Sequence, residues 1–498
     1  MSLIDTLAPL RAHGKARTTG LDDATLLDFA ARDPLLGEAV AAAAQEYAAV
    51  RAEFPELLAL DENAQAAQVQ AGFVNFYAAD AANPYVALTA RGPWIVTLKG
   101  AVLYDTGGYG MLGLGHAPAA VIAAMSKPQA MANIMTPHVS QLRFTNAMRK
   151  EIGQTRAARQ GDSCPYTAFM CLNSGSESVS LASRIVDANA KVQTDAGARH
   201  AGKAIKRLVV KGAFHGRTER PALYSDSSRK TYIQHLASFR GEDSVLTVAP
   251  YDNDALRKIF AEADVNGWFI EAMFLEPVMG EGDPGRSVPV EFYNLARELT
   301  RAHGSLLLVD SIQAGLRATG YLSIVDYPGF ENAEAPDMET YSKALNAGQY
   351  PLSVLAVGDT AAGIYKRGLY GNTMTANPRA LDVACTVLAS LTPELRANIQ
   401  QRGRDALALL EALKAELNGP ITKVQGTGLL FSCELTKQFK GYGAGSTEEW
   451  MREHGIGVIH GGENSLRFTP QFAISDAELK LVVAMVKRAI LEGPRMAA

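Results

Sequence analysis

An apolar run, Ser305-Leu-Leu-Leu-Val309, ends on Asp310-Ser-Ile-Gln313, and a lysine follows downstream in Tyr341-Ser-Lys-Ala-Leu345. These residues suit a reaction that needs an electron sink. A carboxylate at a buried strand end can keep a heteroaromatic nitrogen protonated, so that the ring withdraws electrons. The amine of Lys343 can form a Schiff base and later move protons at a substrate carbon. Pyridoxal 5'-phosphate is the cofactor whose chemistry calls for that pair. Taken singly, Asp310 reads as a helix N-cap after a strand, and Lys343 as a solvated surface lysine.

Further segments of the same kind precede them. Asn173-Ser-Gly-Ser-Glu-Ser178 lies between an apolar strand and a helical run over 179–190. Backbone amides around Ser174, Gly175 and Ser176 then sit at a helix N-terminus, where the macrodipole favours a phosphate. An ordinary serine N-cap explains that segment equally well. Ala213-Phe-His-Gly-Arg-Thr218 puts an aromatic and an imidazole, Phe214 and His215, at the C-terminal end of another strand, where open α/β sheets collect ligands. Phe214 can stack on a heteroaromatic ring or be part of the core. Glu276-Pro-Val-Met-Gly-Glu-Gly282 follows the next apolar strand. The single-residue explanations do not account for a phosphate-type loop, an aromatic, a carboxylate and a lysine falling in this order at successive strand ends.

The elements that must position these groups are legible as a rhythm. Strand candidates at 168–172, 207–211, 273–275, 305–309 and 352–357 alternate with helical patterns such as 291–302, which predicts a mostly parallel, seven-stranded type of sheet covered by helices on both faces. Upstream, 94–98 and 101–104 predict a hairpin, followed by a glycine-rich loop and a helix from 118 to 125. Downstream, helices at 394–416 and 476–491 flank a hairpin-like 424–435, which predicts a smaller α+β domain. The start is rich in Ala, Leu, Glu and Gln, with helical runs at 35–40 and 53–70. The predicted organisation is a helical extension over 1–90, the N-terminal part of a small domain with the glycine-rich loop over 91–145, a large cofactor-binding domain over 146–394, and a C-terminal small domain over 395–498.

Composition narrows the partners. A chain of 498 residues, 47% hydrophobic, can bury more than one core. The net charge of -4, with Lys and Arg scattered, gives no reason to expect nucleic acid or an anionic membrane surface. The cysteines Cys164, Cys171, Cys385 and Cys433 have neither CxxC spacing nor a nearby histidine pair, so no metal site and no disulfide framework is expected, and the chain reads as cytoplasmic. Arg11, Lys15 and Arg17 leave an organelle presequence as the alternative. No apolar run is long enough to span a membrane.

The order Asn173-Ser-Gly-Ser-Glu, Phe214-His-Gly, Glu276-Pro, Asp310-x-x-Gln313, Ser342-Lys343 and Tyr370-Gly-Asn-Thr-Met-Thr-Ala-Asn-Pro378 resembles the class III (ω-amino acid) aminotransferases of pyridoxal-phosphate fold type I, over about residues 90–490. The resemblance implies Lys343 as the Schiff-base lysine, Asp310 on the pyridine nitrogen and Gln313 on the phenolic oxygen. It implies phosphate contacts from Gly175 and Ser176, Phe214 stacked on the ring, and Thr373 reaching the phosphate of a neighbouring subunit. The expected assembly is then a homodimer with shared active sites, with a dimer of dimers as a further arrangement. Within the family, Gly315-Leu-x-x-Thr-Gly320 and Ser323-Ile-Val-Asp-Tyr327 are similar to the ornithine aminotransferases. That likeness aligns Arg467 with an arginine that clamps a substrate α-carboxylate, Glu281 with the glutamate that covers it, and Tyr109 with a tyrosine at the substrate mouth. The expected reaction moves an amino group from an amino acid or ω-amine donor to an oxo acid such as 2-oxoglutarate or pyruvate. Three positions depart from the family: Ser311 stands where a glutamate usually follows the aspartate, Met279 where many members have Gln, and Ala318 where an arginine commonly precedes Thr-Gly.

Other readings use some of the same residues. An amino-acid racemase or epimerase on this scaffold would need identical cofactor groups, because it differs only in where a proton returns. A homologue that has lost catalysis would need neither Lys343, Asp310 nor Gln313. Gly108-Tyr-Gly110-Met-Leu-Gly113 formally spells the dinucleotide-binding GxGxxG of an NAD-dependent dehydrogenase, yet no Asp or Glu occurs from Thr106 to Lys150 to hold a ribose.

Overall fold

The computed structural model describes residues 2–77, 81–130, 133–156 and 163–496. The chain divides into two compact units, one made of Met1–Ala119 with Gln401–Ala498 and the other of Ala120–Gln400.

The central unit is built on a seven-stranded sheet. Across it the strands run Ala168–Leu172, Ser353–Val357, Met338–Tyr341, Leu306–Asp310, Trp268–Leu275, Ala204–Val210 and Val245–Val248. Four neighbouring pairs are parallel, and Ser353–Val357 is antiparallel to both of its neighbours. The sheet is therefore mostly parallel, as the sequence rhythm predicts, and mixed at one side. The reason lies in the connection: only a 3-10 turn, Lys343–Asn346, and a short loop separate Met338–Tyr341 from Ser353–Val357, too little chain for a crossover helix. Val245–Val248 and Met338–Tyr341 are strands that the apolar runs did not announce; the second carries Glu339 and Thr340 among its four residues. Helices Gly175–Thr194 and Val290–His303 lie in this unit, and the first packs Val179, Ala182, Ile185 and Val186 into a core with Val209, Phe274 and Leu308.

The other unit contains two four-stranded sheets. One joins Ala87–Arg91, Trp94–Thr97 and Val102–Asp105 to Ile456–Gly457; the other runs Ile421–Thr427, Leu430–Leu435, Ser465–Phe468, Ile459–Gly461. The hairpins expected at 94–104 and 424–435 are both present. The helical run expected over 53–70 is interrupted: Pro34–Glu53 ends where it begins, and Pro55–Ala59 and Glu62–Gln70 follow as separate helices. Pro55 removes a backbone donor and holds Phe54 out of helical geometry, and Asp61 is extended before the last of these helices. Among the described residues no helix is long and apolar enough to cross a membrane.

Candidate active site

Successive strands of the central sheet end on one cavity of about 180 Å³, lined by Ser174, Gly175, Ser176, Phe214, His215, Glu276, Asp310, Gln313, Ser342 and Lys343 together with Gly216 and Ile312. Every cofactor residue singled out in the sequence is there except Thr373, which lies on an exposed turn. Asn372 beside it donates from Nδ2 to Glu177 Oε1 at 2.9 Å, tying that turn to the first turn of Gly175–Thr194.

Each side chain is held by its own local device. Ser174 caps the helix by accepting from the Glu177 amide at 3.3 Å, and Glu177 Oε2 accepts from the Asn173 amide at 2.7 Å, so the loop is closed from both sides. Gly216, with φ +109, lets the backbone pass Ser176, whose Oγ would stand 2.5 Å from a Cβ. Glu276 follows Trp268–Leu275 and accepts from the Phe214 amide at 3.1 Å and the Gly280 amide at 2.8 Å. Gly280 leaves room for the Gln313 side chain, whose Oε1 would stand 1.7 Å from a Cβ there. Lys343 adopts φ +45, a left-handed conformation that costs a non-glycine residue about 1–3 kcal/mol and persists only where the surroundings impose it.

The charges converge on Asp310. Its Oδ2 lies 2.8 Å from His215 Nδ1, and its Oδ1 accepts from the Ile312 amide at 3.1 Å. Both Asp310 and His215 are buried. Burial, reinforced by the Asp310 charge and opposed by His215, raises the Glu276 carboxyl to about 7. Arg217, which the sequence reading passed over, lies with its guanidinium 5.4 Å from the Phe214 ring centre and 4.0 Å from Glu281 Oε1. A charge directly after the glycine of Phe214-His-Gly was the available signal.

In the other unit, Arg467 occupies an inner strand of its sheet, opposite Ser432 on one side and Ile459 on the other. Its guanidinium lies 5.8 Å from the Tyr109 ring centre. Tyr77 stacks on Tyr109 at 6.0 Å and 23°. Burial pushes the Tyr109 phenol up, and a hydrogen bond with Tyr77 acts in the same direction. Tyr77 was also missed; its signal was the aromatic cluster Phe73-Val-Asn-Phe-Tyr77 at the end of an alanine-rich tract. The departure at Ala318 has a neighbour of interest, since Arg317 is fully buried and burial alone lowers its guanidinium to about 9.

This arrangement defines the class. The family model "Aminotransferase class-III" matches residues 76–490, and the chain belongs to that family. It is 29% identical over 390 residues to the acetylornithine aminotransferase of Xanthomonas axonopodis pv. citri, covering 77% of this chain and 87% of the relative. It is 29% identical over 412 residues to the ornithine aminotransferase of Brevibacillus brevis, covering 82% and 94%. The fold matches the crystal structure of the ornithine aminotransferase from Toxoplasma gondii ME49 with a TM-score of 0.72 and 23% identity, over 88% of this chain and 97% of that one. The chain is a pyridoxal-phosphate-dependent aminotransferase of fold type I. The cavity suits that cofactor: capped helix amides for a phosphate, an aromatic face, a buried carboxylate with its imidazole, and the space kept by Gly280 beside Gln313.

Proposed function

We propose that this transaminase takes an amine donor whose reacting amino group is remote from a carboxylate, as in ornithine or its N-acetyl derivative, and passes the amino group to 2-oxoglutarate or a similar oxo acid. The convergence of Lys343, Asp310, Gln313 and Glu276 on one cavity supports the transamination chemistry, and the likeness to acetylornithine and ornithine aminotransferases, with Arg467 beside Tyr109, supports the donor class. When bound, pyridoxal phosphate supplies a carbonyl that condenses with amines and a ring that draws electrons from the substrate carbon. The amides of Gly175 and Ser176 would hold the phosphate, and Phe214 would offer the ring an aromatic face. Asp310, braced by His215, would keep a proton on the ring nitrogen, and Gln313 would donate to the phenolic oxygen. Lys343, whose amine lines the same cavity, would hold the cofactor through its carbonyl and would carry a proton to and from the substrate carbon. Arg467 receives a substrate carboxylate with the planar fork that suits it, Tyr109 lines the approach, and Glu281 neutralises a guanidinium when no carboxylate is present.

The reading includes a cytoplasmic homodimer in which Thr373 completes the phosphate site of the neighbouring subunit. Mixing inactive Lys343→Ala with inactive Thr373→Ala chains tests the dimer, since one site of each hybrid carries neither lesion and up to half of the hybrid's sites recover. Absence of recovery despite subunit exchange assigns Thr373 to its own chain. The donor class is tested by single-turnover conversion of the bound aldehyde cofactor to its amine form. Ornithine and N-acetylornithine are expected to convert it, and conversion by α-amino donors alone overturns the assignment. The racemase reading gains no support, because the matched family transfers amino groups.

A further inference from the structure

Glu339 lies in the middle of the central sheet, on Met338–Tyr341, with no exposed surface. An isolated carboxylate there would be costly, and this one is surrounded by donors. Oε1 accepts from the Ser311 hydroxyl and from the Ile324 amide at 2.9 Å; Oε2 accepts from Tyr166 at 2.7 Å and from the Ser323 hydroxyl. Burial raises its carboxyl while these hydrogen bonds hold it down.

The placement of those donors gives the group a task. Ser311 is the residue directly after Asp310, and its amide donates to Thr340 O at 3.0 Å. In the parallel ladder Glu339 stands opposite Val309 and Thr340 opposite Asp310. The turn from Asp310 to Gln313 is thus fastened to the neighbouring strand twice, by a main-chain bond and by the Ser311 hydroxyl on Glu339. The same strand leads, after Ser342, into Lys343. At position 311 the family resemblance calls for a glutamate, and here the acid comes instead from the adjacent strand.

We propose that Glu339 is a positioning residue which, through Ser311, fixes the Asp310–Gln313 turn in register with Lys343 and so sets how firmly the cofactor ring is held by its nitrogen and phenolic contacts. This rests on the assignment of Asp310 and Gln313 to the ring.

The experiment uses full-length protein reconstituted with pyridoxal phosphate, in the variants Glu339→Gln, Ser311→Ala, the double variant and Asp310→Asn. For each, the melting temperature of the apoprotein, the dissociation constant for pyridoxal phosphate, the absorbance of the bound cofactor, and kcat and donor KM per bound cofactor are measured. Glu339→Gln is expected to shift the absorbance in the direction that Asp310→Asn does, and to lower kcat by about tenfold or more with KM changed by less than about threefold. Ser311→Ala should give the same signature more weakly, and the double variant should fall short of the product of the two effects, because both act on one link, which Gln keeps only as a neutral and weaker acceptor. Unchanged absorbance and kcat per bound cofactor, with only the apoprotein melting lower, overturns the proposal and makes Glu339 a purely structural acid. Independent, multiplying effects in the double variant overturn it as well. If Glu339→Gln does not fold, Ser311→Ala decides, since it removes a single hydroxyl. Should Asp310→Asn leave absorbance and rate intact, the ring assignment itself falls, an outcome distinct from failure of the Glu339 link.

Discussion

Lys99, in the unit that contains the N-terminal helices, is buried and Lys343, in the central unit, is half-buried, and their surroundings differ in kind. Lys99 is 4% exposed, and its Nζ donates to the carbonyls of His13 at 2.7 Å, Leu58 at 3.1 Å and Leu60 at 2.5 Å. An ammonium has three protons to give, and all three are used. Burial lowers the pKa of Lys99 while Glu62 and Asp61 oppose that, and its three bonds tie His13, Leu58 and Leu60 to the hairpin at 94–104. Lys343 lines a cavity instead, on a strained backbone, beside a carboxylate and an imidazole. Burial alone does not make a lysine chemical. Space beside the nitrogen and an opposing group that can use the charge do.

The largest effect that separates the two is on turnover. Lys343→Ala should lower kcat by roughly 10³-fold or more while leaving pyridoxal phosphate bound, because the ring and phosphate contacts remain and the proton carrier is gone. Borohydride reduction of the cofactor-loaded protein should fix the label on Lys343 and leave Lys99 unlabelled by peptide mapping. Label on any other lysine breaks the distinction.

Lys99→Met should do the reverse. It strands three carbonyls at about 1–3 kcal/mol for each that finds no water, and the melting temperature should drop by several degrees. The kcat of the protein that remains folded should be unchanged. A fall in kcat equal to that of Lys343→Ala would mean that the N-terminal knot reaches the chemistry.

The same contrast explains what could be read from the chain. Groups that do chemistry fall at strand ends in a fixed order, so their types and spacing were enough to bring Ser174, Phe214, Glu276, Asp310, Gln313 and Lys343 to one cavity. Groups that hold them were hidden. Glu339 and Thr340 sit in a strand of mixed polarity, Met338-Glu-Thr-Tyr341, which shows neither an apolar run nor a clean alternation, and only the pairing with Leu306–Asp310 gives them a purpose. Nothing in the sequence marks Lys99, because its carbonyl partners are 39 to 86 positions away. The break at Pro55 was available in the sequence and was outweighed by the helical composition on either side. The antiparallel strand Ser353–Val357 depended on a connection length that could be judged only once Met338–Tyr341 was recognised as a strand.

Two buried titrating groups of the central unit sharpen the comparison through pH. Glu276, at the cavity, is raised from 4.5 to about 7 by burial, so between those values the unfolded chain is ionised where the folded one is not, and stability falls as pH rises. His303, at the end of Val290–His303, is lowered from 6.5 to about 4 by burial, with His200, Lys203 and Arg199 acting in the same direction against Asp264. Over that range the unfolded chain binds the extra proton, and stability rises with pH. The two slopes, each up to about 1.4 kcal/mol per pH unit, oppose one another where they overlap. The apoprotein's melting temperature should therefore vary little between pH 5 and 6.5, taking those bounds as roughly the overlap of the two transitions. Glu276→Gln removes one slope and should leave a melting temperature that climbs with pH across the same interval. Parallel curves for the two proteins would show that Glu276 is ionised in the fold.

The smallest effect concerns two guanidiniums that each lie near an aromatic ring, Arg217 near Phe214 in one unit and Arg467 near Tyr109 in the other. They differ in exposure. The Arg217 side chain is 45% exposed and its contact with Glu281 is 4.0 Å, the geometry of a pair worth little to stability. Arg467 is 3% exposed, and a buried guanidinium gains far more from an arriving carboxylate. Arg467→Ala should therefore weaken the 2-oxoglutarate half-reaction strongly and the ω-amine half-reaction much less. Glu281→Ala should leave the melting temperature within about a degree, since exposed pairs contribute roughly 0–1 kcal/mol. Its effect should appear in selectivity: with the acid gone, an exposed guanidinium attracts the carboxylate of glutamate, and the ratio of single-turnover rate constants should move a few-fold from the ω-amine donor towards glutamate, a shift of about 1 kcal/mol. If both half-reactions fall equally in Glu281→Ala, the glutamate covers no cation. Donor choice would then rest on Tyr77, Tyr109 and Arg467 alone, and replacing Tyr77 with Leu should change donor KM while leaving kcat in place.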